Sequence, residues 1–225
     1  MTSAANLKKL ARLHQKKHRE AERRFLAEGA NLVRESPAPP LELFADPIAV
    51  KRLSTLTTPT GPVAVFPFLD VPAEELLTRD LIVLLHGVQD PGNVGAIIRA
   101  AHAFGAGVAL AKGVADLYNP KTVRATMGSI FHAPISRELD ALAFLELAQA
   151  SRFETVAAMP RGGEPPASLP EGRLVVAVGS EGAGLPEEVA LACSWRVTIP
   201  DLAASLNAAV AASILLYEAH TRVLP

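Results

Sequence analysis

Cysteine is almost missing from this chain. One residue in 225, Cys193, excludes a disulfide framework, and no CxxC pair or Cys/His cluster has the spacing of structural zinc. The six histidines, at 14, 18, 86, 102, 132 and 220, form no HExxH or other ligand pattern, so no metal site is expected. There is no GxSxG elbow, and Cys193 has no evident base partner, which leaves hydrolase chemistry without a nucleophile. No apolar run reaches the roughly 18 residues of a membrane span. The nearest, 202–217, lacks formal charges but contains Ser205, Asn207 and Ser213. The first residues are basic and polar with no apolar h-region, so the expectation is a cytoplasmic protein without membrane attachment.

Net charge is also nearly absent, at −1, but the distribution is uneven. Residues 1–24 hold eight Lys and Arg against two Glu, a net of +6, and the remainder holds 14 basic and 21 acidic side chains, a net of −7. Such asymmetry points to an anionic partner for the basic end. Leu7, Leu10 and Leu13 recur at helical spacing, which predicts a helix docked by a leucine stripe with Lys8, Lys9, Lys16 and Lys17 outward. A solvated helix face carries the same pattern. No aromatic interrupts residues 1–24, so contacts there would be to phosphates and not to stacked bases.

With 49% hydrophobic and 20% charged residues, the chain is rich enough in apolar side chains to fold. Residues 25–71 read as a short α/β piece: FLAEGANLVRES as strand and helix, PAPPLELFADP as a turn and short strand, and TPTGPVAVFPF as a turn with a closing strand at 63–66. Proline and acid density over 68–80 marks a linker. The expected division is a small basic N-terminal domain at 1–72, a linker at 73–80 and a second domain at 81–225. In the second, strands are predicted at 81–85, 108–111, 133–135, 155–159, 174–178 and 196–199. Helices are predicted at 94–104, 121–129, 139–150, 186–192 and 205–222. Strands of Val, Ile and Leu without alternation fit a mostly parallel sheet buried on both faces, hence the α/β class.

Ligands bind such sheets at the carboxyl ends of the strands. After 81–85 the chain reads HGVQDPGNVGAIIR, with Asn93 as the expected N-cap and Arg99 six residues on. Gly95, one turn before Arg99, lets a ligand or another backbone come close. After 174–178 comes GSEGAGLP, which offers backbone N–H groups but lacks the GK[ST] of a P-loop and the context of a dinucleotide fold. It is also what a tight turn looks like. IPDLAASLN opens a small-residue helix, where Ser205 is a candidate N-cap and Asn207 would fall in the first turn.

In order, QDPGNVGAIIRAAHAFGA, DLYNPKTVRATMGSIFHAPI, AVGSEGAGLPEEV and IP…SLNAAVAASILLYEA resemble the SpoU (TrmH-like) branch of the SPOUT methyltransferases, over about 81–222. The segment before them resembles that family's ribosomal-protein-like substrate-binding domain. The resemblance implies S-adenosylmethionine-dependent methylation of a ribose 2′-hydroxyl in structured RNA, a trefoil-knotted domain and a homodimer. It implies Asn93, Arg99, Ser205 and Asn207 as active-site residues. Gly179, Ile199 and Leu206 would hold the cofactor, with Glu181 in the same loop, and Arg124 would join the lysines on RNA. The basic leader and the absence of a long C-terminal extension favour ribosomal over transfer RNA. One departure is a spacer of only 201–204 between Ile-Pro and Ser-Leu-Asn. It keeps open a second reading, an RNA-binding member with weak or lost activity.

Overall fold

The computed structural model describes residues 3–59, 61–201 and 206–223. The basic leader forms two helices, α1 (Ala4–Ala11) and α2 (Lys16–Glu22), separated by a 3-10 turn at Arg12–His14. Leu7, Leu10 and Leu13 are buried as the spacing requires. The break falls at Gln15, whose extended backbone starts the second helix in a new direction. β1 (Arg24–Glu28), α3 (Ala30–Arg34), β2 (Glu42–Phe44), α4 (Pro47–Leu53) and β3 (Val63–Pro67) follow. The strands make an antiparallel three-stranded sheet in the order β1-β3-β2. Helix α4 went unforeseen, although Asp46 capping it and Pro47 at its first position are ordinary start signals.

Next come α5 (Ala73–Leu76), β4 (Leu81–Leu85), α6 (Pro91–Ala103), β5 (Gly107–Ala111), α7 (Pro120–Ala125), β6 (Ile135–Leu139), α8 (Ala141–Ala150), β7 (Glu154–Ala158), β8 (Leu174–Val178), α9 (Glu187–Ala192), β9 (Trp195–Val197) and α10 (Ala208–Val223). The six strands are all parallel, in the order β6-β5-β4-β8-β7-β9. β4, β5 and β8 are buried along their whole length. Strand alternation divides their side chains between two cores. Leu81, Val83, Leu85, Leu174, Val176 and Val178 pack with α6 and α10, whereas Ile82, Leu84, Val175 and Ala177 pack with α8 and α9.

Two predicted elements shift most. The strand expected at 133–135 runs Ile135–Leu139, because an edge strand tolerates Arg137 and Glu138. The helix expected over 121–129 stops at Ala125, since Met127 and Gly128 both take positive φ.

The small sheet does not stand apart. Its Leu26, Val63 and Val65 face the leucine stripe of the leader, while Phe25, Ala27, Ala64 and Phe66 join the core of the large sheet. Phe25 lies 4.9 Å from Tyr118, Phe66 lies 4.8 Å from Phe131, and Phe68 stacks on Tyr118 at 3.9 Å. A polar clamp closes the same seam. Tyr118 donates to Asp70 (2.8 Å) and accepts from the backbone N–H groups of Leu69 and Asp70 (2.6 and 2.8 Å). Arg137 grips Glu20 through both terminal nitrogens (2.6 and 2.9 Å), reaches Asp70 at 3.2 Å and lies over Phe68. Burial pushes the Tyr118 phenol well above the tyrosine range, reinforced by the Asp70 carboxylate. Burial acting alone would raise the Asp70 carboxyl, but the Tyr118 hydroxyl, Arg137 and Arg23 together outweigh it and hold it below 3.8. Segment 73–80, expected as linker, contains α5, whose Leu76 is buried in the second core.

Candidate active site

The loops that follow β4, β7, β8 and β9 converge at one end of the sheet. The first leads into α6. Asp90, not Asn93, caps this helix: its side chain accepts from the Asn93 N–H (3.0 Å), with Pro91 in the first turn. This corrects the expected cap, and it frees the Asn93 side chain. Asn93 Nδ2 donates to the Glu181 carboxylate, and Asn93 Oδ1 accepts from Asn207 Nδ2 at 3.0 Å. Asn207 in turn caps α10, its Oδ1 accepting from the N–H groups of Ala209 (2.9 Å) and Val210 (3.3 Å). Three expected site residues from three separate loops thus form one hydrogen-bonded line.

Beside that line lies a cleft bounded by Ala158–Pro160, the 179–184 loop, Ile199 and Leu206, with Ala211 and Leu215 of α10 behind. Gly179, Glu181, Ile199 and Leu206 all line it. Gly179 sits hard against its own loop: a Cβ there would meet the Gly184 carbonyl carbon at 2.1 Å. Ser180 and Gly184 exchange two backbone hydrogen bonds (3.2 and 2.9 Å), which closes the loop into a tight turn. Met159 and Pro160 were missed by sequence reasoning. They follow β7, the neighbour of β8, and the rule that ligands sit beyond strand carboxyl ends would have pointed there.

Arg99 is exposed on α6 and, among the described residues, has no hydrogen bond or ion pair. The close approach expected at Gly95 is made by protein and not by a ligand: a Cβ there would lie 2.4 Å from Ala125 Cβ and 2.9 Å from the Thr122 oxygen. Ser205 lies outside the described residues, as does most of the 201–204 spacer. Arg124 is engaged across the domain seam, donating to Thr55 Oγ1 (2.7 Å) and lying 3.7 Å from Glu28.

Of the leader lysines, Lys16 pairs with Glu138 (3.0 Å) and Lys9 with Glu22 (3.7 Å). Lys8 and Lys17 are exposed with no ion pair among the described residues. Arg19 is only 2% exposed, bonded to the Leu13 carbonyl (2.7 Å) and to Asp116. Part of the leader's charge therefore serves the fold. The Cys193 thiol is pushed up to about 11 by burial, which suits a packing residue and not a nucleophile. Among the described residues no group of His, Cys, Asp and Glu could hold a metal, and no helix is long and apolar enough to cross a membrane.

Residues 80–217 match the SpoU rRNA Methylase family, and residues 4–43 match the MRM3-like substrate binding domain. The chain belongs to the SpoU family. It is 31% identical to the 23S rRNA (guanosine(2553)-2′-O)-methyltransferase RlmP of Bacillus subtilis, over 92% of each chain. Its structure resembles the AdoMet-bound rRNA methyltransferase of Sinorhizobium meliloti with a TM-score of 0.90 and 31% identity, covering 100% of this chain and 98% of that one. It also resembles the SpoU methyltransferase AviRb of Streptomyces viridochromogenes in complex with AdoMet, with a TM-score of 0.87 and 26% identity over 97% and 98% of the two chains. Asn93, Glu181 and Asn207 meet in one corner beside the cleft, with Glu181 on its wall.

Proposed function

We propose that this protein transfers a methyl group from S-adenosylmethionine to a ribose 2′-hydroxyl of 23S ribosomal RNA. The observation that carries this reading is the line Asn207–Asn93–Glu181 beside a cleft walled by the 179–184 loop. The cofactor, when bound, supplies an electrophilic methyl on a sulfonium. The cleft fits it in two ways. Apolar Met159, Ile199, Leu206 and Leu215 offer a surface for a flat base, and the Glu181 carboxylate complements the positive charge. Gly179, Ile199 and Leu206 would hold it chiefly through backbone atoms.

The remaining work falls to side chains. An uncharged hydroxyl is a weak nucleophile, so Asn93 and Asn207 orient the ribose, with Ser205 completing the set. Arg99 stands ready for a phosphate. A guanidinium with a pKa above about 12 does not act as a base at neutral pH, so Arg99 anchors the RNA and stabilises developing alkoxide charge, and the proton leaves by another group. Lys8, Lys9, Lys16 and Lys17 extend the contact to RNA phosphates, while Arg124 supports it from the seam. Ribosomal RNA is favoured over transfer RNA because the likeness to a 23S rRNA enzyme runs through the N-terminal half. We read residues 1–72 as the substrate-binding part, 73–80 as its junction and 81–225 as the catalytic part, working in the cytoplasm.

Two further features complete the reading. The chain leaves β9 at the sheet edge and returns to lay α10 against β8 and β4, which supports a trefoil knot. Val210, Ile214 and Tyr217 form an exposed apolar stripe on α10, which supports a homodimer packed along that helix. Calorimetry with S-adenosylmethionine, followed by mapping of 2′-O-methyl groups in RNA from a deletion strain, tests the whole. Micromolar binding and loss of one 23S site are expected. No binding at millimolar cofactor would favour an RNA-binding member without activity, and loss of a tRNA site alone would overturn the ribosomal assignment. Sedimentation of a Tyr217→Asp variant as a monomer would support the dimer, and an unchanged assembly would remove α10 from the interface.

A further inference from the structure

Met127 is used neither by the reaction corner nor by the domain clamp. It follows the C-terminus of α7 with φ +49°, in the left-handed region that favours glycine, and its side chain is 55% exposed. The backbone is strained for an L side chain, and more than half of the residue stays open to solvent. The turn it sits on is pinned from the other half of the protein. Gly128 takes φ +99°, and a Cβ there would lie 2.5 Å from Cβ and Cγ of Glu35, on the segment after α3.

Next to this turn the rings of His102 and His132 stack at 4.8 Å, 13° from parallel. Both are exposed. His102 Nδ1 lies 3.2 Å from Ser129 Oγ, and His132 Nε2 lies 3.8 Å from the Glu35 carboxylate. On α6, Gly95 meets Thr122 and Ala125, and His102 meets Ser129. Arg99 stands between them, four residues after one and three before the other, so it shares the face that looks onto 126–128. One strip therefore runs from Asn93 past Arg99, Met127 and the two histidines to Glu35 of the N-terminal half.

We propose that Met127 and the His102–His132 pair receive the nucleotide next to the methylated one, the thioether against the base and the imidazoles toward its phosphate. This rests on the RNA methyltransferase reading. Methylating a 2′-hydroxyl in structured RNA requires a local nucleotide to be unstacked, and an unstacked base needs a new apolar partner. Methionine is unbranched and polarizable, so it adapts to any base face. Glycine would serve the fold alone at this position without the strain.

That contrast sets the test. Met127→Gly and Met127→Asn are compared with the wild-type protein for thermal melting, cofactor affinity and steady-state methylation of a 23S rRNA transcript. Met127→Gly is expected to melt at the same or a higher temperature while KM for RNA rises about tenfold, with the loss on KM and not on kcat. Met127→Asn, whose side chain tolerates positive φ but is polar, is expected to show the same rise in KM. His102→Asn and His132→Asn are each expected to raise KM about threefold. A Met127→Gly variant with unchanged KM overturns the proposal, whatever its melting temperature. If the wild-type protein neither binds nor methylates the transcript, the methyltransferase reading falls and this contact falls with it. If it methylates and all four variants keep their KM, only the contact falls.

Discussion

The two polar clusters of this protein are built from similar residues and used in opposite ways. At the domain seam, Asp70, Tyr118, Arg137, Glu20 and Arg23 bond one another, packed against Phe68. At the cleft, Asn207, Asn93 and Glu181 are joined end to end, with Glu181 on the cavity wall, and Arg99, on the same helix as Asn93, has no partner among the described residues. Groups that satisfy one another in the interior fix geometry, and groups left with open valences at a cavity are available for chemistry. The seam is closed on itself, and the corner opens beside a cavity.

Separating these roles experimentally begins at the corner. Asn93→Ala is expected to lower kcat on the order of a thousandfold while the melting temperature stays within about 2 °C, since the lost bonds position the reaction and hold little of the fold. Arg137→Ala should do the reverse. It strands Glu20 and Asp70 at the seam and is expected to cost about 3 kcal/mol, a fall of about 10 °C by calorimetry, with kcat per folded molecule little changed. Retained stability in Arg137→Ala, or a matching loss in Asn93→Ala, would erase the distinction.

Acid provides a gentler probe of the seam. Asp70 titrates below its unfolded value of 3.8, so its contribution to stability is complete above that pH and is lost as pH falls through the lower folded value. Unfolding measured between pH 2 and 6 should show a steeper acid loss in the wild-type protein than in Asp70→Asn. The smallest effect belongs to the leader. Replacing Lys8 and Lys17 with Ala should flatten the salt dependence of RNA binding by about one to two in slope. The same change at Lys9 and Lys16, which already hold Glu22 and Glu138, should flatten it less.

Much of the large sheet was legible because its strands are continuous runs such as LIVLL and LVVAV, the pattern that a doubly covered parallel sheet requires. The cleft loops were legible for the same reason, since each begins where such a run stops. Less was legible at the edges. β6 carries Ser, Arg and Glu because one side of it has no neighbouring strand, and periodicity does not register that. The cap of α6 was misplaced by three residues because Asp90 and Asn93 are both good caps, and the Pro91 between them decides the matter. The inward use of Arg19 was hidden altogether. A charge in a basic run reads as solvated until Asp116, far along the chain, is brought against it.

The aromatic seam also bears on how the chain is made. Phe25 and Phe66 belong to a sheet completed by residue 67, yet the rings they pack against, Tyr118 and Phe131, come about fifty to sixty residues later. During synthesis the first sheet therefore leaves the ribosome with one apolar face uncovered, and it stays so until the segment that ends with Phe131 has followed it out. The protein is born with an exposed surface that only its own later half can cover, and any delay in that interval is when a chaperone or a second nascent chain would find it.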